Sequence, residues 1–478
     1  MTTGTPAMVR LHGHYNNYSW GKMGHNSEVA RLFQAGHKKF RIDPDQPYAE
    51  QWMGTHPDGP ATLMECGTPL STFIAQEQRE PNNNKAETIH LPFIMKVMSI
   101  ERTLSLQVHP TKEQAAELHR KDPKNYPDKN HKPELAYALT RFQLLCGFRP
   151  HEEMLKNLEN FRSLRALLGP RAKDLTQAIK RQENESICKS LLKSCFTHMM
   201  TPREPEYLRQ LIQALFEELD CGVRGAVEEQ TVEIMRQMRT DFPNDVGVFS
   251  PLILNHMILE PGECCYYAAQ ELHAYLSGEC VECVGCSNNT IRAAMTPKYI
   301  DREALISVLN YEMTEPERYL VQPSRVPGYP AVDHFATDCK DFELHRIRVS
   351  HGTISTPIPA LNCGSIMVLH SGRAIITEDP SPSESSWKKP MEHEVKRGDI
   401  FYIPPRRKLR LTNCTEDLEA FRTFSYEEGP DHDNRTVVGV RHKNGVDFLP
   451  FETNFEEGQL RRVESGILID EPELDGFI

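Results

Sequence analysis

Apolar and polar positions change rhythm several times along the chain. Over residues 1–150 the apolar runs are short and are cut by Pro, Gly and Asn, as in YAEQWMGTHPDGPA, LPFIMKVMSI and LSLQVHP. Runs this short, bounded by turn formers, predict β-strands joined by long loops. From about 151 to 245 apolar residues recur every third or fourth position within charged segments: HEEMLKNLENFRSLRALL, PEYLRQLIQALFEEL and VEEQTVEIMRQMRTDF. That spacing predicts α-helices, and Pro205 stands just inside the start of the second, where a helix tolerates it. After Pro243 the strand rhythm returns in VFSPLILNHMILEPGECCYYAAQELHAYLSG. QPSRVPGYP at 322–330 reads as a linker. FELHRIRVS, SIMVLHSGRAIITE and DIFYIPPRRKLRLTN predict further strands, with SPSESSW at 381–387 as an exposed loop. The order is β, then α, then β, then β.

A length of 478 residues predicts two to four domains. Hydrophobic residues at 39% and charged residues at 26% are ordinary for a globular protein, and the mean hydropathy is −0.53. No run approaches the roughly 18 apolar residues of a membrane span, and the opening MTTGTPAMVRLHGHYNN has no apolar core of a secretory signal. Fifty-five basic against 67 acidic residues give −12, which argues against nucleic-acid binding. An anionic substrate must then be held by a local basic cluster. Thirteen cysteines in a chain this large read as reduced thiols of a cytoplasmic protein. Cys280, Cys283 and Cys286 tempt a metal reading, but two of them fall on opposite faces of a strand-like stretch and read as ordinary thiols.

Several short segments carry residues suited to chemistry. On a strand through TLSLQVHP, Ser105, Gln107 and His109 share one face and Leu104, Leu106 and Val108 the other; taken alone this is also a solvent-facing polar strand. NHKPELAYAL packs His131, Lys132 and Glu134 around Pro133, which by itself also reads as a charged surface turn. His273 stands inside the aromatic strand HAYL, where a core histidine is the plain alternative. Together Gln107, His109, Glu134 and His273 offer two imidazoles, a carboxylate and an amide oxygen. This N/O set suits a divalent ion such as Zn²⁺ with positions left open for water or substrate. Arg292 and Lys298 could bind a phosphate or oxyanion or be surface charge, and Lys96 within FIMKVMSI either snorkels outward or faces a polar pocket.

The chain also resembles itself. Aligning 260–276 with 396–412 sets Gly262 on Gly398, Glu263 on Asp399, Tyr266 on Tyr402 and His273 on Leu409. This pattern resembles the second motif of cupins, the double-sheet jelly rolls. A metal held at this position could belong only to the N-terminal unit.

YSWGKMG, YAEQWMGTHPDGPA, LSLQVHP, NHKPELAYAL, HAYLSG and GECVECVGCSNNTIRAAMTPKYID, in order over about 15–300, together resemble the type I mannose-6-phosphate isomerase (phosphomannose isomerase) family. The resemblance implies a mainly β fold: two cupin (jelly-roll) β domains with an inserted α-helical domain. Their bounds would be 1–150 plus 250–320 for a catalytic cupin, 151–249 for the helical domain and 321–478 for a metal-free cupin-like domain. It implies one Zn²⁺ per chain on Gln107, His109, Glu134 and His273, a catalytic Arg292, and Ser105, Lys96, Lys132 and Lys298 around the substrate. The expected reaction interconverts mannose 6-phosphate and fructose 6-phosphate through a cis-enediol, in a cytoplasmic monomer that supplies mannose 6-phosphate for GDP-mannose and glycosylation. Another metal-dependent cupin enzyme and a non-catalytic sugar-phosphate-binding protein are the alternatives. One departure is visible: Leu272 replaces the proline that commonly precedes this histidine in the family, which should alter loop rigidity more than chemistry.

Overall fold

The computed structural model describes residues 6, 8–77, 88–378 and 392–425. The serine-rich 381–387 segment and everything beyond 425 lie outside them. Among the described residues, two large antiparallel sheets pack face to face. One joins strands Leu254–Leu259, Phe142–Phe148, His273–Gly285, Phe93–Ile100, Glu50–Gly54 and His14–Asn16, with Leu106–Val108, Glu134–Ala138, Cys264–Tyr267 and Ile291–Ala294 attached to them. The other runs Ser324–Arg325, Val332–Phe335, Glu343–Val349, Leu418–Phe424, Ser365–Ser371, Ile400–Ile403, Val9–His12 and Thr62–Leu63. Both sheets are open, so a hydrogen-bonded closed barrel is not what forms. The protein is mainly sheet with an inserted helical region.

Period-two alternation explains the layers. In the second sheet Leu344, Ile366, Val368, Ile400 and Phe421 point toward the first sheet, into a core with Met95, Val97, Leu135 and Val281. Ile347, Met367, Phe401 and Ile403 point the other way. There they meet Ile358, Ile376, Leu409 and Leu411 of a four-stranded sheet. The C-terminal part is thus its own sandwich. Its large sheet is nevertheless completed by the N-terminal strand Val9–His12, set between Ile400–Ile403 and Thr62–Leu63. The stretch at 322–330 is not only a linker, because Ser324–Arg325 pairs with Asp333 and His334. A polar latch also joins the two ends of the chain: Glu28 Oε1 receives Arg397 at 2.6 Å and lies 3.2 Å from His370 Nε2, while His370 Nδ1 lies 3.1 Å from Glu419.

The helices His151–Asn160, Arg162–Leu168, Arg171–Lys180, Glu185–Met200, Pro205–Asp220 and Glu229–Asp241 fall where the three-to-four spacing predicts them, with Pro205 in the first turn. They share one core with Leu106, Val108, Ala274, Leu276, Ile291 and Ala293. The insertion therefore presses on the apolar side of three strands and leaves their alternate residues, among them Gln107, His273 and Arg292, for the opposite face. The N-terminal region holds helices that the strand-and-loop reading does not contain. Glu28–Gly36 is capped by Ser27, and Lys112–Lys121 by a Thr111–Gln114 capping box. No helix of the described residues is long and apolar enough to cross a membrane.

Candidate metal centre and substrate pocket

The long strand His273–Gly285 organises the site because it changes partners midway. Its first residues pair with Gln107 and with 143–146, and its last eight with 93–100 and 134–138. The switch falls at Gly278, whose φ is +113° and where a Cβ would meet Arg141 O at 2.5 Å. Only glycine fits that bend. Gln107 stands opposite His273 on one side and opposite Arg292 on the other. His273, Gln107 and Arg292 thus form one cross-strand row. Glu134 opens the next strand, opposite Val284 and Tyr267.

One ligand atom from each of His109, Glu134 and His273 lies within 4.8 Å of the other two. Glu134 Oε1 is 3.2 Å from His109 Nε2, and Oε2 is 3.5 Å from His273 Nε2. Each imidazole donates its Nδ1–H to a backbone carbonyl, His109 to Asn289 at 2.8 Å and His273 to Glu271 at 2.9 Å. Carbonyls only accept, so each Nε2 presents a lone pair inward. Burial lowers the pKa of both rings, that of His273 to about 4, and keeps them neutral. Burial would raise the Glu134 carboxyl, but the Lys132 ammonium outweighs it and holds the group well below the usual range. Two lone pairs and a buried carboxylate converging at these distances repel unless positive charge lies among them. The donor set fits a divalent ion of zinc's preference. Tyr267 donates to Glu134 Oε2 at 2.9 Å and orients it.

Gln107 joins this group, with Nε2 3.4 Å from Nε2 of both histidines, while Ser105 Oγ donates to its Oε1 at 3.1 Å. An amide reverses its ends by a half-turn, which would offer Oε1 as a ligand. Lys132 Nζ lies 3.1 Å from Glu134. Arg292 is partly buried, its pKa lowered by that burial, with no acidic partner recorded among the described residues. Lys96 is buried beneath the face of Trp52 and pairs with Glu282 at 2.9 Å and Glu50 at 3.9 Å. Burial works against its charge, but Glu282 and Glu50 raise its pKa above the ordinary value. Lys298 stands apart on an exposed turn past Ile291–Ala294, its amide bonded to Thr296 Oγ1. Leu272 is buried against the helical core, and its carbonyl accepts from Gly147. The loop before His273 is thus held by packing where the family's proline would stiffen it.

Sequence reasoning passed over Glu282, Tyr275, Glu50 and Trp52. Glu282 also accepts from Tyr275 OH at 3.0 Å. The signal was available in GECVECVG, where two acidic residues interrupt an apolar strand, but the cysteines drew the reading instead. Those cysteines are buried in three separate cores, and all thirteen thiols of the chain are free. A second close group, His131, Cys339 and Asp341, reads differently. Asp341 Oδ2 lies 2.6 Å from His131 Nε2 and its Oδ1 3.5 Å from Lys112 Nζ, so both of its oxygens already have partners.

A model of the catalytic domain of type I phosphomannose isomerases matches residues 8–151, and one of that family's helical insertion domain matches 167–254. The mannose-6-phosphate isomerase of Homo sapiens is 36% identical over 431 residues, spanning 87% of this chain and 98% of that protein. That of Bos taurus is 36% identical over 414 residues, 85% and 95% of the two chains. That of Schizosaccharomyces pombe is 33% identical over 423 residues, 87% and 99%. Among solved structures, a zinc-bound mannose 6-phosphate isomerase superposes with a TM-score of 0.70 at 24% identity, covering 88% of this chain and all of that one. The apo form from Salmonella typhimurium gives 0.71 at the same identity and coverage. At that identity the likeness speaks for the fold alone.

Proposed function

From the premise that the chain belongs to the type I phosphomannose isomerases and is an isomerase of mannose 6-phosphate, we propose that it works with one zinc ion on Gln107, His109, Glu134 and His273. The observation that carries this reading is the convergence of two inward Nε2 lone pairs and the Glu134 carboxylate beside a fixed row of His273, Gln107 and Arg292. When bound, zinc supplies Lewis-acid polarisation of the substrate oxygens.

The chain's own groups account for the remaining chemistry. Moving a proton between C1 and C2 of the open sugar passes through a cis-enediol, whose oxygen gathers negative charge. Arg292, rigid on its strand, supplies a fixed cation at that point. Lys132 and Ser105 would contact the sugar, and Lys298, exposed past Ile291–Ala294, would reach for the phosphate. Holding the remote phosphate positions the reacting carbons. Glu282, a buried carboxylate paired with Lys96 at 2.9 Å and bonded by Tyr275 at 3.0 Å, is the base we assign to the proton transfer. Residues 1–150 plus 250–320 would be the catalytic cupin, 151–249 the helical domain that backs it, and 321–478 the metal-free cupin. Thirteen free thiols support a cytoplasmic setting. There a monomer would supply mannose 6-phosphate for GDP-mannose and glycosylation.

The test is conversion of mannose 6-phosphate to fructose 6-phosphate by purified protein, before and after chelation and after zinc is returned. Activity lost on chelation and restored by zinc is expected. Undiminished activity in protein shown to be metal-free would overturn the zinc assignment.

A further inference from the structure

The carboxylate of Asp341 belongs to the C-terminal sandwich, on the loop between Val332–Phe335 and Glu343–Val349, yet it touches the two segments that carry the metal-centre residues. Its Oδ2 lies 2.6 Å from His131 Nε2, and its Oδ1 3.5 Å from Lys112 Nζ. His131 immediately precedes Lys132 and stands three residues before Glu134, while Lys112 follows His109 by three. The loop presenting Asp341 is stiff. Thr337 Oγ1 accepts from the Cys339 amide at 3.2 Å, the Asp341 amide donates to Cys339 Sγ at 3.3 Å, and Phe342 is buried in the core between the two large sheets.

Local backbone chemistry makes this contact consequential. Lys132 precedes Pro133, so its own backbone is confined to extended conformations. The Pro133 ring fixes φ, and its carbonyl accepts from Gly285 at 3.1 Å. The far end of this short stretch is therefore pinned by the catalytic sheet. The near end is His131, whose ring is held by Asp341. Between two pins Lys132 has few places to stand. Asp341 is the pin supplied from the other sandwich; the Asn130 carbonyl, bonded by Ser287 and Asn289, and the Lys132 pair with Glu134 at 3.1 Å are supplied by the catalytic side.

Building on the reading of Lys132 as a substrate contact, we propose that Asp341 is a positioning residue. Through His131 it sets where Lys132 stands against the sugar phosphate, so that the C-terminal sandwich contributes to substrate binding without touching substrate.

Steady-state kinetics with mannose 6-phosphate on the full-length zinc enzyme test this, together with zinc content and the thermal midpoint. Asp341→Ala should raise KM about tenfold and leave kcat within about twofold, zinc content intact and the midpoint little changed. Asp341→Asn, which keeps an acceptor, should restore most of the loss. In a Lys132→Met background, Asp341→Ala should raise KM no further. If Asp341→Ala does not fold, His131→Ala removes the same link from its other end and should reproduce the KM rise. An unchanged KM in both variants of an active enzyme overturns the positioning role, as does an equal KM rise with and without Lys132. A joint fall of kcat, zinc content and midpoint would make the contact merely structural and overturns it too. Failure of the zinc-loaded wild type to isomerise would instead remove the site reading on which the proposal rests.

Discussion

The two sheet units are built on one lattice, and their interiors have gone opposite ways. Strand Cys264–Tyr267 follows Gly262, and Ile400–Ile403 follows Gly398; both glycines have positive φ, and the next strands begin at His273 and Leu409. Pairing extends the correspondence. Tyr267 lies opposite Glu134, and Ile403 opposite Ser365. Stepping across the neighbouring strands sets Ala136 against Met367, Glu282 against Arg422 and Lys96 against His345. In the first unit this interior holds the candidate metal centre and its ion pairs. In the second, Met367, Ile403, Leu409 and Leu411 fill it as ordinary core. Some surviving polar groups there bond to the protein itself, Arg422 donating to Ser365 Oγ at 2.8 Å and His334 meeting Glu343 at 3.0 Å, whereas neither ring nitrogen of the buried His345 has a hydrogen-bond partner among the described residues. A shared fold therefore does not transmit a site. A few interior side chains decide whether the same strands enclose chemistry or simply pack.

The comparison can be broken most forcefully by copying the second unit into the first. His273→Leu, which installs the residue of the Leu409 position, should abolish zinc retention and lower isomerase activity on the order of 10³-fold, read by metal analysis and a coupled assay. A milder change attacks the support of the ligand set. Tyr267→Phe leaves Glu134 without its hydroxyl donor and should weaken zinc binding roughly 10–100-fold, as measured by competition with a chelator. The reverse transplant should gain nothing. Leu409→His places an imidazole opposite Glu378, whose carboxylate is already held by Arg407 at 2.9 Å, and Ser365 stands where Glu134 would be. It should bind no additional zinc and cost about 1–3 kcal/mol in denaturant melts, because a buried polar group is left unpaired.

The smallest effect concerns the latch between the units. Burial would lower the pKa of His370, but Glu28 and Glu419 outweigh it and raise it to about 9. Its stabilising effect is complete below the ordinary 6.5 and fades as pH rises through 9. Burial would raise the Glu28 carboxyl, but His370 and Arg397 bring it to about 2, so its share is complete above 4.5 and fades as pH falls through 2. The thermal midpoint should decline on the alkaline side, and His370→Gln should flatten that limb alone.

What could be read from the chain follows the range of the interaction. The helical block and its Pro205 start are local and legible, and so is the register joining Gly262 to Gly398, because a glycine-acid turn with a strand behind it is a local pattern. His109, Glu134 and His273 were legible as donors, but their meeting point depends on strand pairing across more than a hundred residues. The row of His273, Gln107 and Arg292 depends on it too. Lys96 with Glu282 was half read: the lysine was noticed inside an apolar run, and its carboxylate was hidden among cysteines. The helix Glu28–Gly36 was missed because only nine residues carry its period. The strand Val9–His12 gave no hint of its partner, since nothing local to it encodes Ile400–Tyr402.

That last pairing sets a timetable for the newborn chain. Val9 lies opposite Tyr402, so this strand waits about 390 residues for that neighbour to be made. At roughly 5–20 residues per second that is about 20–80 s, during which the edge that Ile400–Ile403 will cover stays open. The C-terminal sheet closes only when both ends of this stretch of chain are present. A strand made long before its partner is therefore among the last to be secured, and a holdase would find its target there.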